Sequence, residues 1–434
     1  MNLIVGSYLK LEYGAAEALK QAFDIINWWK WHLVPFSWLL AEMDHPLALL
    51  TGCLTRWGSQ VAALIRLLQF KEAMQVVLGR RKQEILDMLA KKEQRTRASD
   101  LFHLAQSDYF WLQLADMIQK LLPVRIAVRV LEADSARLDD VLEQFGRLAN
   151  HFSYSTLMTH SLEKRWFKMD HKLFLLAYVL HPARHLQHIN PKLEFAYTTS
   201  LAQYAKEMYQ RLFPCTAEEG TAVYKQMAVY LAKGGAFSSS IPEYQDSKEN
   251  PDTFWCLMTQ PFPHLTKLAD HLFTIAVNSA AVDRLFSDFG NIQTQRRSSL
   301  VHDRVHKLAT IKSMLPRKPR SKAKAAGGKY LSRQTTRASK LSGDAAQAAL
   351  AKAARQTQQQ YVDGPEDIIV DRQQMDDLVQ EYQEQVEEDE ADDADFAAIP
   401  GVKRCRLSDL FVDMPAFDMD LLFEDDLGSD SEDD

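Results

Sequence analysis

The chain has 434 residues, 46% hydrophobic and 25% charged, with a formal net charge of −7. That composition suits a globular protein of two or three domains with a sizeable core and excludes a collagen-like or wholly disordered chain. Four scattered cysteines (Cys53, Cys215, Cys256 and Cys405) exclude a disulfide framework and a Cys-x-x-Cys zinc pair, and the absence of any apolar run near the ~18–20 residues of a membrane span argues against membrane insertion.

Residues 1–232 read as almost continuous helix, a mainly α domain. Tyr8, Leu11, Ala15, Leu19 and Phe23 form one apolar stripe, and Val61, Leu64, Ile65 and Leu68 another. Leu112, Leu114, Met117, Ile118, Leu121 and Leu122 run up to Pro123, where a helix is expected to stop, and an ambiguous run through Ile126, Val128, Val130 and Leu131 follows. Val141, Phe145 and Leu148 restart the pattern, and the stripe through Leu173–Leu180 ends at His181-Pro182. Strand-type alternation is nearly absent. Residues 233–250, with two Gly and a Ser run, read as a loop. A second compact segment spans 251–315. In it Val282, Leu285, Phe286 and Phe289 recur at i, i+3, i+4 and i+7, one face of a helix, with Gly290 as a stop. A second helix runs through Val301, Val305, Leu308, Ile311 and Leu315 to Pro316.

Beyond the core the charges separate. Residues 316–362 carry 11 Lys/Arg against one Asp, and 363–434 carry 26 Asp/Glu against 4 Lys/Arg. The first stretch reads as a disordered basic linker and the second as an acidic, mostly disordered tail in which 366–386 forms an isolated helix. Arg317, Lys318, Arg320, Lys322 and Lys324 make a nuclear-import candidate, placing the protein in the nucleus, and such clusters also bind nucleic acid non-specifically. Leu410–Met414 and Phe417–Glu424 mix acids with bulky apolar groups, a pattern that presents apolar anchors to the groove of a nuclear partner; the alternative is a solubilising tail. Ser429 and Ser431 lie among acids and are candidate phosphorylation sites.

The string Ser279-Ala280-x-x-Asp283-Arg284-x-Phe286-Ser287, then Gly290, Arg296-Arg297 and Leu300, resembles the C-terminal signature of hAT-superfamily DNA transposases. Thr55-Arg56-Trp57-Gly58-Ser59 is similar to that family's Thr-Arg-Trp-x-Ser motif, and Phe110-Trp111, Leu131-Glu132-x-Asp134, Lys164-Arg165-Trp166 and Leu176-Ala177-Tyr178-x-Leu180-x-Pro182 resemble its helical insertion domain. The resemblance implies an insertion-like domain over 1–232 and a dimerisation region over 251–315 containing the C-terminal helices of an incomplete RNase H-like domain. It also implies that Val282, Leu285, Phe286, Phe289, Val305, Leu308 and Ile311 build a self-complementary patch, making a second copy of the chain its first partner. Intrachain burial of the same face is the competing reading.

In family members an Asn-Leu-Ile-Val-Gly-like string follows a Cys-x-x-His motif, and here Asn2-Leu3-Ile4-Val5-Gly6 follows Met1. The sequence therefore lacks a counterpart of the zinc-binding BED finger and of the first two catalytic Asp. Asp283 stands where the family places a catalytic Glu, one methylene short. Strand transfer of this class needs two Mg²⁺ ions ~3.5–4 Å apart held by carboxylates from separate elements. Asp288, five residues on, points away from the Asp283 side of the helix. The expectation is a non-enzyme that takes no cofactor, with Mg²⁺ relevant only if the catalytic core were supplied from elsewhere. The alternatives are a fragment of an active transposase and a transcriptional interaction protein working through the acidic tail.

DNA is the second candidate partner. Arg56 and Trp57 match a pair that lies near the transposon end, where an aromatic stacks on an unpaired base; the competing reading is a buried helix anchor. Arg284, Arg296 and Arg297 are candidate phosphate contacts, or surface partners of nearby Asp residues. His181 and His185 have i, i+4 spacing, but no acidic partner completes a metal motif and Pro182 breaks the spacing, so no metal site is expected.

Overall fold

The computed structural model describes residues 2–43, 47–51, 57–247, 251–292, 301–314, 372–391, 404–415 and 417. The described residues are mainly α and include no sheet; an isolated bridge joins Ile189 and Phe411. Among the described residues no helix is long and apolar enough to cross a membrane. The described residues divide into two compact units, the first drawn from 2–125 and 372–391 and the second from 126–314, 404–415 and 417.

The first unit contains α1 (Asn2–Leu11), α2 (Ala15–Trp31), α3 (Leu33–Ala41), α4 (Trp57–Gln69), α5 (Lys71–Asp87), α6 (Lys92–Ala105) and the first part of α7 (Asp108–Leu131). Its core takes Tyr8, Leu19, Phe23, Val61, Leu64 and Ile65 from the stripes read in the sequence. Contrary to the stop expected at Pro123, α7 continues through it. Proline removes one ladder hydrogen bond, at a cost of ~3 kcal/mol. Burial of Leu121, Leu122, Val124 and Ala127 on both sides of it offsets that cost.

The acidic helix also differs from expectation. Arg372–Ala391 is not isolated: it packs on α1 and α2 through Met375, Leu378, Val379, Tyr382 and Val386. A Cβ added at Gly6 would lie 2.7 Å from the Tyr382 carbonyl oxygen, so glycine permits the close approach. Arg372 reaches Asp24 and Glu17 at 3.0 Å each, Lys10 reaches Glu387 at 3.3 Å, and Lys20 pairs with Asp376. Its apolar stripe has 3.6-residue spacing, which the density of acids around it masks in the sequence.

The second unit contains the end of α7, α8 (Leu138–His151), α9 (Thr156–Phe167), α10 (His171–Leu180), α11 (Thr198–Leu212), α12 (Ala217–Leu231), α13 (Phe237–Ser247), α14 (Pro251–Met258), α15 (Pro263–Phe273), α16 (Ala280–Ile292) and α17 (His302–Met314). The α13 helix occupies most of the stretch expected to be a loop. Phe237, Ile241 and Tyr244, at i, i+4 and i+7, are buried on one face of it. Packing overrides a local Ser-rich composition that favours turns.

Residues 404–417, expected to be part of a solvated tail, lie on the second unit. Cys405, Leu407, Leu410, Met414 and Phe417 are buried there. The basic linker, Arg317, Lys318, Arg320, Lys322 and Lys324, and Ser429 and Ser431 lie outside the described residues.

Candidate self-association site

The base of the C-terminal region is an aromatic cluster. The Phe237 and Phe262 rings stack at 4.2 Å, Tyr230 and Trp255 meet at 5.3 Å, and Trp255 Nε1 donates to the Leu180 carbonyl at 3.0 Å. Pro263 opens α15 at a position where the missing N–H costs nothing, and Leu265, Leu268 and Leu272 bury its inner face. Asn278 then sets the entry to α16. Its Nδ2 donates to the Leu131 carbonyl at 2.5 Å, and its Oδ1 accepts from the Ala280 amide at 2.8 Å. Asx side chains commonly satisfy helix-start amides in this way.

The paired helices α16 and α17 share a small core of Ile292, Val305 and Ala309, with Leu285 and Phe289 half-buried against it. That core consumes only part of the apolar surface. Val282 and Phe286 remain 50% and 64% exposed on α16, Leu308 and Ile311 remain 43% and 55% exposed on α17, and Val301, just before α17, is 64% exposed. The seven residues read as one dimerisation patch therefore divide. Leu285, Phe289 and Val305 close the pair, while Val282, Phe286, Leu308 and Ile311 face outward. Val301 joins the outward set; its spacing of seven from Leu308 was the signal for it. Exposed bulky apolar side chains concentrated on two short helices mark an interaction surface.

The other candidates fall in different places. Arg56, Arg296 and Arg297 lie outside the described residues. Asp283 and Arg284 are on α16, with side chains outside the described set. Trp57 begins α4 and is 4% exposed, the placement of a helix anchor, with no ring face open for a base.

His181 and His185 turn to different neighbours. His181 Nδ1 accepts from the Ala183 amide at 3.2 Å, and His185 Nε2 is 3.3 Å from the Tyr230 carbonyl oxygen. His188 has φ 62°, which carries its backbone out of the helical register. Burial, reinforced by the Arg184 and Arg137 charges, holds the His181 imidazole neutral down to about 3. Burial also lowers His171 and His185.

Beside His181 is a charge network that sequence reading missed. Arg184 pairs with Asp139, with Asp140 at 2.6 Å and with Glu143 at 2.5 Å, while Arg137 Nε reaches Asp139 at 3.1 Å. The Asp139 side chain is fully buried. Burial raises its pKa and Arg184 and Arg137 pull it back. Nothing in the acidic start of α8 announces a partner 45 residues away.

These histidines give the second unit a pH dependence of stability. Their pKa is depressed in the folded state, so the unfolded chain binds more protons. The stability they contribute is complete above the unfolded value near 6.5 and is lost as pH falls from there toward the folded value, about 3 for His181. Between pH 7.5 and 5, His181 alone is expected to remove roughly 2 kcal/mol. Asp139, whose pKa burial raises, works in the opposite sense, adding stability as pH falls through its folded value. Urea midpoints at the two pH values check it: His181→Asn should flatten the difference, and an equal midpoint for the wild-type chain at both would contradict it.

Residues 236–315 match the model of the hAT family C-terminal dimerisation region, which spans α13 to α17. No curated protein matches the chain.

Proposed function

We propose, from the premise that this is an hAT-transposase-like chain with a C-terminal dimerisation region, that it is a transposase-derived protein whose activity is self-association through the outward faces of α16 and α17. The observation that carries the reading is the exposure of Phe286, Ile311, Val282 and Leu308 on a pair of helices whose shared core is already closed, with Val301 exposed at the entry to the second. A self-complementary patch of this kind builds a two-fold dimer, in which each copy offers the same residues. Sedimentation over a hundredfold range of concentration is expected to show twice the chain mass at the upper end. A monomer at every concentration would refute the reading.

DNA enters the proposal through charge. Arg284, Arg296, Arg297 and the basic linker supply phosphate contacts without base readout, and Trp57, being buried, plays no part in it. The cluster from Arg317 to Lys324 serves import into the nucleus. The chain performs no strand transfer by itself, because two-metal chemistry needs carboxylates from several elements and Asp283 is a single short one. One gel with a labelled duplex and Mg²⁺ tests both points. A shift that disappears as salt rises, without a nicked product, is the expected result.

A further inference from the structure

We infer that residues 404–417 are a self-docked ligand of the second unit, held in a peptide-binding groove formed by α8, α9 and α10 with the loop after α10, and that the segment leaves this groove as a piece while the helices stay folded.

The hydrogen bonds carry the argument. The groove grips the backbone of the segment with its own side chains. Trp166 Nε1 donates to the Cys405 carbonyl at 2.9 Å, and His171 Nδ1 accepts from the Cys405 amide at 3.2 Å. The Glu163 carboxylate accepts from the amides of Leu407 and Ser408 at 2.9 and 2.8 Å. Asn190 Nδ2 donates to the Asp409 carbonyl at 2.8 Å, and Asn150 Nδ2 donates to the Met414 carbonyl at 2.6 Å. Main-chain pairs with the loop complete it: Asn190 N to the Leu410 carbonyl and Val412 N to the His188 carbonyl, both 2.8 Å. Receptor side chains satisfying the backbone of an extended segment, with pockets for alternate apolar side chains, is how grooves hold linear peptides. Helices that form a core together instead satisfy their backbones internally.

The pockets are specific. Leu407 and Leu410 are fully buried and Met414 is nearly so. Phe411 lies across α8 at Gly146, where an added Cβ would sit 2.7 Å from a ring carbon. Glycine is a poor residue for a helix interior, and α8 carries one where the Phe411 ring crosses it. The only helix within the segment is Leu407–Leu410. Ordering this length of backbone costs free energy of the same order as the burial of its few anchors returns. Covalent tethering then holds the segment down by raising its effective concentration.

The occupant is this chain's own segment. While docked, it hides Leu410, Phe411 and Met414, the apolar half of the acidic-apolar pattern suited to recruiting a partner. A partner that takes these side chains has to displace the segment from its groove.

The test uses the full chain. Leu407→Asp with Leu410→Asp frees the groove, and the probe is a fluorescent synthetic peptide of residues 404–417. The variant is expected to bind the peptide saturably and at least ~tenfold more tightly than the wild-type chain, whose groove is filled in cis. Adding Gly146→Val to the variant is expected to abolish that binding. Amide exchange on the unaltered chain supplies the second readout. The amides of Cys405, Leu407, Ser408 and Val412 are expected to exchange at least ~tenfold faster than those at the centre of α10. A variant that keeps its helical circular dichroism but binds no peptide would overturn the inference. So would segment amides exchanging at the rate of the helices, which would make 404–417 integral core, whether or not the variant folds.

Discussion

Replacing Arg184 with methionine is expected to destabilise the second unit by about 3–5 kcal/mol, the cost of leaving buried charge without its partner. Arg184 holds three carboxylates of α8, Asp139, Asp140 and Glu143, with only 17% of its side chain exposed. Without it the fully buried Asp139 keeps Arg137 alone, and the network loses a positive charge beside the buried His181. Lysine at 184 is expected to recover only part of the loss, because an ammonium lacks the planar fork that spans several carboxylates at once. Urea unfolding of the full chain, followed by tryptophan fluorescence, reads the effect. A change below about 1 kcal/mol for the methionine variant would mean that solvent already screens the network.

The second large effect is on assembly. Phe286→Asp together with Ile311→Asp puts a charge on the outward face of each helix of the pair. Both positions are more than half exposed, so the charges are solvated in the isolated chain and the fold is expected to survive. In an association that buries them, each copy would desolvate two carboxylates without partners, and in a two-fold arrangement the like charges face each other. Dimer affinity is expected to fall by at least ~100-fold, the equivalent of about 3 kcal/mol. Val305→Asp is the informative contrast. Val305 is buried between α16 and α17, so that change is expected to disrupt the pair itself and lower helical content.

The sequence carried the mainly α character and the C-terminal region well. Apolar residues recur at 3.6-residue spacing through α2, α4, α8 and α16, and the string from Ser279 to Leu300 is far more specific than periodicity. What it could not show were outcomes decided by distant partners. Pro123 reads as a helix end until burial on both sides of it is known. The Ser run at 238–240 reads as a loop until Phe237 and Ile241 find an aromatic cluster. The acids of 363–434 suggest an isolated helix within a solvated tail, yet α1, α2 and the α8–α10 groove offer two of its segments a complementary surface. The outward and inward residues of α16 and α17 share one helical stripe in the sequence, and only the geometry of the pair separates Phe286 from Phe289.

The most direct test of the account is the solution mass of the full chain by multi-angle light scattering, wild type beside the Phe286→Asp/Ile311→Asp variant at equal concentration. A dimer or larger species is expected for the wild type and the 49.6 kDa chain mass for the variant, with unchanged helical circular dichroism. A wild-type chain that is monomeric throughout, or a variant that associates as well as the wild type, would contradict it.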